Sequence, residues 1–365
     1  MEEESPALSA ESSEPADRDV RSRGLSRRVV RTWLGCVCAL VVAMVVLGGV
    51  TRLTGSGLSI VEWRPLTGAI PPLSEADWLE AFRAYQDTPQ YRLLNAGMDL
   101  AEFQRIFVWE YVHRLVGRIL GVVFVLPLLH FAITRSISPD LARRLFMVSA
   151  LGAVQGGLGW FMVKSGLIDA PNVSHYRLAA HLTLALVVLG TLFWTWLDLG
   201  ARDASPVKVR LRFALHAVTG LLALQSVYGA FTAGLHAGIG YNTFPTMHGR
   251  WIPPDAFALD PTWRNAFENR AAVQLVHRAL GALLVLAITA AAVLARYAPR
   301  EVKRTMQVLV AGVLVQFALG VATLVLVVPL PVAALHQLGA CLLLLAVLRA
   351  QHAARRSQDP KMTER

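Results

Sequence analysis

The sequence predicts an all-α integral membrane protein of eight transmembrane helices, built as two tandem four-helix bundles in a parallel repeat. Three observations predict it. The 365 residues are 55% hydrophobic and 16% charged, with a mean hydropathy of +0.47, a balance that soluble domains rarely reach. Eight apolar runs approach the roughly 20 residues that a helix needs to cross a bilayer. Motifs in the first four runs recur, in the same order, in the last four.

The runs are 32–51, 106–133, 145–163, 178–197, 213–235, 271–295, 305–328 and 332–348. Lipid offers backbone groups no partners, so each is expected to be a helix. Arginine and lysine crowd 21–31, 134–144, 200–212, 296–304 and the tail after 348. The positive-inside rule places these segments and both termini in the cytoplasm. The loops 52–105, 164–177 and 236–270 and the turn 329–331 then face outward. The net charge of +10 is therefore a topology signal and excludes a nucleic-acid-binding role. The acidic first 20 residues, rich in Glu, Ser, Ala and Pro, resemble neither a mitochondrial presequence nor a cleaved signal peptide. They predict a disordered cytoplasmic tail and a bacterial inner-membrane protein. The expected boundaries are a tail at 1–30, bundles at 31–200 and 201–350, and a second tail at 351–365.

The repeat is carried by four matches. Val-His-Arg-x-x-Gly stands at 112–117 and 276–281. Gln155-Gly-Gly-Leu-Gly159 parallels Gln316-Phe-Ala-Leu-Gly320. Val46-Leu-Gly-Gly-Val-Thr51 parallels Val227-Tyr-Gly-Ala-Phe-Thr232, each leading to an Ile-Pro-Pro at 70–72 and 252–254. His181 parallels His336. Four spans per copy keep both copies in one orientation. Cys36, Cys38 and Cys341 all fall within apolar runs, where they are expected as small buried hydrophobes rather than disulfide or metal partners.

An ionisable residue inside a span is costly and marks function by default. His113, His181, His277 and His336 lie four to seven residues from the outer ends of their spans, roughly 6–11 Å deep at about 1.5 Å per residue. Each half supplies two. A zinc site would want three or four converging ligands. An iron porphyrin takes one axial imidazole from each of two helices, and four-helix bundles hold cofactors between facing helices. The other histidines are expected at interfaces, in outer loops (His175, His236, His248) or in the tail (His352). Arg114 and Arg278 follow two of the histidines; they either snorkel or pair with porphyrin propionates. Glu110 precedes His113 by three residues, on the same helical face, where the second copy has neutral Gln274. That asymmetry suggests chemistry in the first half and an electron-transfer cofactor in the second, with an i,i+4 ion pair to Arg114 as the structural alternative.

These motifs resemble a known family. Glu-Tyr-Val-His-Arg-Leu-Val-Gly-Arg (110–118), Thr51-Arg-Leu-Thr-Gly-Ser-Gly-Leu-Ser59, Glu62-Trp-Arg-Pro-Leu-Thr-Gly68 and Tyr241-Asn-Thr-Phe-Pro245 are similar to those of the haem A synthases, over about 30–350. Without cysteines in its first outer loop, the chain resembles the cysteine-free alphaproteobacterial and mitochondrial-like branch. The resemblance implies oxidation of a methyl group of haem O to a formyl group, giving haem A for terminal cytochrome oxidase. It implies haem b on His277 and His336, with Arg278 nearby. It implies haem O as substrate on His113 and His181, with Arg114 nearby and Glu110 catalytic. Iron would be held by those four axial histidines. The implied partners are haem O synthase, cytochrome oxidase assembly factors and an unidentified electron-transfer partner, and a homo-oligomer is compatible. Two other readings use the same histidines. One is a di-haem b cytochrome that only carries electrons, and the other is a haem transporter or binding protein.

Overall fold

A computed structural model describes residues 14–64, 67–166, 171–200 and 207–355. Its long helices are α1 (Glu14–Leu53), α4 (Leu100–Ile133), α5 (Pro139–Gly166), α6 (His175–Asp198), α7 (Val209–Gly234), α9 (Arg270–Leu294), α10 (Arg300–Val325) and α11 (Leu330–Ala353). All eight are long and apolar enough to cross a membrane. Short helices α2 (Glu75–Gln86), α3 (Pro89–Leu94) and α8 (Asn265–Glu268) belong to two connections on one face, called the loop face below. Among the described residues there is no β-strand, only an isolated bridge between Met247 and Arg250.

The repeat is visible in the packing. Helices α1, α4, α5 and α6 close a ring in which each touches the next, and α7, α9, α10 and α11 close a second ring in the same way. The rings meet along a seam where α6 packs on α7, α1 on α11, and α6 on α11. Aliphatic side chains fill the half of each ring away from the loop face. In the first ring these include Leu34, Val41, Leu128, Leu145 and Leu189. In the second they include Leu215, Leu284, Ile288, Leu309 and Val347. Both cores stop short of the histidines, whose level holds polar residues and glycine beside a smaller apolar cluster around Ala179, Ala230, Phe231 and Val273.

Several boundaries differ from expectation. The first helix begins at Glu14, inside the stretch expected as a disordered tail at 1–30; Pro15 sits in its first turn, where a missing N–H costs nothing. Residues 1–13 and 356–365 of the two expected tails, and 201–206 at the expected bundle boundary, lie outside the described residues. Helix α4 starts six residues before the apolar run, because Asp99 and Glu102 form a capping box that satisfies orphan N–H groups at the helix start. Its projecting first turns carry Phe103 and Phe107, which are buried with Tyr85 and packed by Trp78 and Phe82. The 52–105 connection is thus a small folded unit on the loop face. Cys38 and Cys341 are buried as expected, whereas Cys36 is exposed. His352 is not a tail residue: it is 8% exposed, and its Nε2 lies 3.0 Å from Asp198 Oδ1 across the seam.

The loop-face end of the seam holds a second ionisable cluster. Arg52, at the end of α1, donates from Nη2 to the carbonyls of Ala233 (3.0 Å) and Gly234 (3.2 Å). Its Nη2 also lies 3.0 Å from His236 Nε2. Burial, with Arg52 and Arg270 beside it, pushes His236 down to about 4, so the ring stays neutral at pH 7 and accepts from Arg52. A histidine held neutral in the fold stabilises less as pH falls through its unfolded value, about 6.5. Thermal stability is therefore expected to fall between pH 6.5 and 4 more steeply in the wild type than in His236→Asn, with no difference in slope above pH 7. Parallel slopes throughout would remove His236 from that account.

Candidate functional site

The four histidines occupy equivalent places. In each ring they come from opposite corners: α4 and α6 in the first, α9 and α11 in the second. His113 and His181 therefore share one ring, and His277 and His336 the other. The rings thus pair the histidines as the repeat suggests.

Each imidazole lies over a glycine on the preceding membrane helix. A Cβ at Gly48 would stand 3.0 Å from His113 Cε1. At Gly159 it would stand 3.1 Å from His181 Cε1, at Gly229 3.3 Å from His277 Cε1, and at Gly320 2.9 Å from His336 Cε1. The missing side chains let the Cε1 edge of each ring approach the helix backbone closely. One turn before Gly159 and Gly320, Gln155 and Gln316 donate from Nε2 to the backbone carbonyls of His181 (3.0 Å) and His336 (2.8 Å). The same Gln316 nitrogen lies 3.1 Å from His336 Nδ1. The Gln-x-x-x-Gly repeat was legible in the sequence; its task of seating the histidine of the next span was not. The halves differ at one further position, where Met44 packs over Gly117 and Gln225 over Gly281.

All four histidines and their glycines remain half-exposed, in contrast to the closed aliphatic layers on the other side. The Nδ1 atoms of His113, His181 and His277 and the Oε1 atoms of Gln155, Gln225 and Gln316 are buried without a hydrogen-bond partner. Buried polar atoms are normally paired, so these six are open to a partner from outside the chain.

Glu110 is 2% exposed, and its hydrogen bonds are specific. Oε1 accepts from Arg114 Nε (3.1 Å) and Nη2 (2.7 Å). Oε2 accepts from Ser59 Oγ (2.8 Å) and the Ile60 N–H (2.9 Å). Arg114 reaches on to the carbonyls of Ile60 and Glu62. The i,i+4 ion pair is therefore real, and it clamps the 59–62 stretch onto α4. Gln274, equally buried, does the matching work with inverted polarity. Its Nε2 donates to the carbonyls of Ala237 (2.8 Å) and Tyr241 (3.3 Å), while Oε1 accepts from Arg278 Nη2 (3.2 Å). Arg278 also donates to the Tyr241 (2.6 Å) and Thr243 (2.9 Å) carbonyls. The Glu/Gln difference is matched to what each loop presents, N–H and O–H in the first half and carbonyls in the second. Arg114 and Arg278 are occupied in these clamps rather than snorkelling freely, although Arg278 Nε is unpartnered.

A family described as "Cytochrome oxidase assembly protein" matches residues 31–348. A "Heme A synthase" of Nitrosospira multiformis is 46% identical over 90% of this chain and 94% of its own length. That of Bradyrhizobium sp. (strain ORS 278) is 48% identical over 88% and 90%, and that of Wolbachia pipientis wMel is 43% identical over 90% and 95%. The chain belongs to the haem A synthase family. For a haem A synthase the group to test against this layer is an iron porphyrin. The residues fit it: two imidazoles on opposite corners of each ring, glycine-bearing helix faces beside them, and orphaned polar atoms around them.

The glycine contacts make a graded prediction for such a group. Gly320→Ala forces the His336 ring to move, whereas Gly229→Ala asks His277 for a few tenths of an ångström. Overpacking of this kind costs about 1–3 kcal/mol. Gly320→Ala should lose most of the haem absorbance at the second site and Gly229→Ala little of it, read from the visible spectrum of the purified proteins. Equal loss in both would mean that the glycines do not set the ring positions.

Proposed function

We propose that this chain converts haem O to haem A, oxidising one porphyrin methyl group to a formyl group, with His113 and His181 holding the substrate and His277 and His336 holding a resident haem b. The observation that carries this is the duplicated histidine-on-glycine layer in a chain of the haem A synthase family. Oxidising one methyl carbon with two waters to a hydrated aldehyde releases four protons and four electrons, the electrons passing to the external electron carrier, and loss of water then leaves the formyl group. Haem b, when bound, supplies one-electron redox capacity beside the substrate site. The protein's own part is orientation. Gly48 and Gly159 leave room for the rings of His113 and His181 against α1 and α5, and Gln155 holds the α6 backbone at His181. The Glu110–Arg114 clamp holds the 59–62 stretch over the first ring. Both Glu110 oxygens are engaged, so a proton-transfer role needs Ser59 Oγ to let go as the substrate binds.

The basic residues on the face opposite the loops, among them Arg31, Arg143, Arg144, Arg212, Lys303 and Arg304, support an orientation with that face in the cytoplasm of a bacterial inner membrane by the positive-inside rule. The histidine layers then lie toward the periplasmic side. Partners in this reading are an electron carrier, haem O synthase and cytochrome oxidase assembly factors. A host that makes haem O but no haem A provides the test. Expression of the chain should bring haem A into its membranes. Haem O left unaltered beside well-expressed, haem-b-loaded protein would favour the electron-carrying cytochrome instead.

A further inference from the structure

Gln337 follows His336 directly, yet its side chain belongs to the other half. Its Nε2 donates to the Val45 carbonyl of α1 at 2.8 Å, across the seam. A Cβ on Gly49 would fall 1.5 Å from Gln337 Oε1 and 2.5 Å from Cδ, so the amide occupies the space that any other residue at 49 would fill. The neighbouring Gly48 seats the His113 ring. Back-to-back glycines on α1 therefore receive, on one side, the candidate iron ligand of the first ring and, on the other, the residue joined to a candidate ligand of the second. The Val45 carbonyl, at a helical position, is open to a second donor because Gly49 leaves the helix surface bare beside it.

The pseudo-two-fold relation between the rings predicts a reciprocal contact, and it is not polar. His181 is followed by Leu182, and Gly48–Gly49 is matched by Gly229–Ala230. Ala230 is buried in an apolar cluster that Leu182 packs against. At this pair of positions the second half thus reaches into the first through a hydrogen bond, whereas the first meets the second through apolar contact.

We propose that Gln337 is a positioning residue that couples the two sites, so that loading of the His277/His336 pair tightens binding at the His113/His181 pair. Movement of His336 on ligation carries Gln337 with it, and Gln337 bears on the α1 wall that seats His113. The proposal rests on the reading of both pairs as iron-porphyrin sites. Couplings between sites in one protein typically amount to 5–150-fold in affinity.

The test titrates iron protoporphyrin IX into the full-length protein and follows first-site binding by absorbance, with the second site loaded and with it emptied by His277→Ala. About a tenfold weakening is expected when the second site is empty. Gln337→Met keeps the length of the side chain and removes the donor, and should make first-site affinity indifferent to the second site. Gly49→Ala expels the amide without altering Gln337, and should do the same; it decides the matter if Gln337→Met does not fold. Leu182→Met, at the reciprocal position, should leave the coupling intact. Coupling that survives in the folded variants, or is absent from the wild type, overturns the proposal. Failure of either pair to bind the porphyrin at all would instead overturn the two-site reading on which it stands.

Discussion

His277→Ala and His336→Ala are each expected to yield protein that purifies without the proposed resident haem, whereas His113→Ala and His181→Ala are expected to keep that haem and make no haem A. The asymmetry is the expected result because the rings are built alike but separately. Each pair comes from opposite corners of its own ring, and each imidazole is seated by a glycine of that ring. On the proposed reading, removing one imidazole deletes one of two axial ligands and opens a gap over Gly229 or Gly320. The loss should exceed the roughly 10–100-fold that follows when a residue merely hydrogen-bonding a ligand is removed. Haem content per polypeptide, measured from the visible spectrum and total protein, reads it. Retention of full haem content in His277→Ala would mean that the ligands lie elsewhere.

Glu110 gives the second large effect. Glu110→Ala leaves the Arg114 guanidinium, whose side chain is 13% exposed, without its carboxylate, and leaves the Ile60 N–H and Ser59 hydroxyl without an acceptor. Breaking a buried pair by removing one partner costs about 3–5 kcal/mol, so this variant should unfold at markedly lower temperature and lose order in the 59–62 stretch. Glu110→Gln is milder and more informative. An amide offers one acceptor where the carboxylate offers two, so its NH2 must face either Arg114 or the Ile60 N–H. That costs about 1–3 kcal/mol for the donor left unpaired. The resident haem should remain, since the second ring is untouched, while haem A formation stalls. Normal haem A yield in Glu110→Gln would sink the role given to Glu110. The reverse exchange, Gln274→Glu, sets a carboxylate oxygen against the Ala237 and Tyr241 carbonyls and should destabilise the second half although Arg278 stands beside it.

The membrane frame was legible because a bilayer forces helices on apolar runs of sufficient length, and those runs are long and separated by basic or glycine-rich loops. The histidines were legible because ionisable residues stand out in such runs and because the repeat shows them twice. Loop-face structure was less so. The capping boxes Ser74–Asp77 and Asp99–Glu102 are sequence signals for α2 and for the early start of α4, but hydropathy alone passes over them. The Glu110/Gln274 difference was visible, yet its cause was not. Whether a loop turns N–H or C=O toward a helix depends on backbone conformation that no residue pattern records. The clasps made by Arg52 and Gln337 were invisible for a different reason. They depend on which faces of the two rings meet, and a span that is apolar on every side does not announce its partner.

The division of labour between the rings is tested most directly by extracting the porphyrins from protein purified out of a host that makes haem O, and separating them by chromatography with mass detection. The predicted result is haem b together with a comparable amount of haem O, its hydroxylated product or haem A. Haem b alone, filling both histidine pairs while haem O stays unaltered in the membrane, would contradict it.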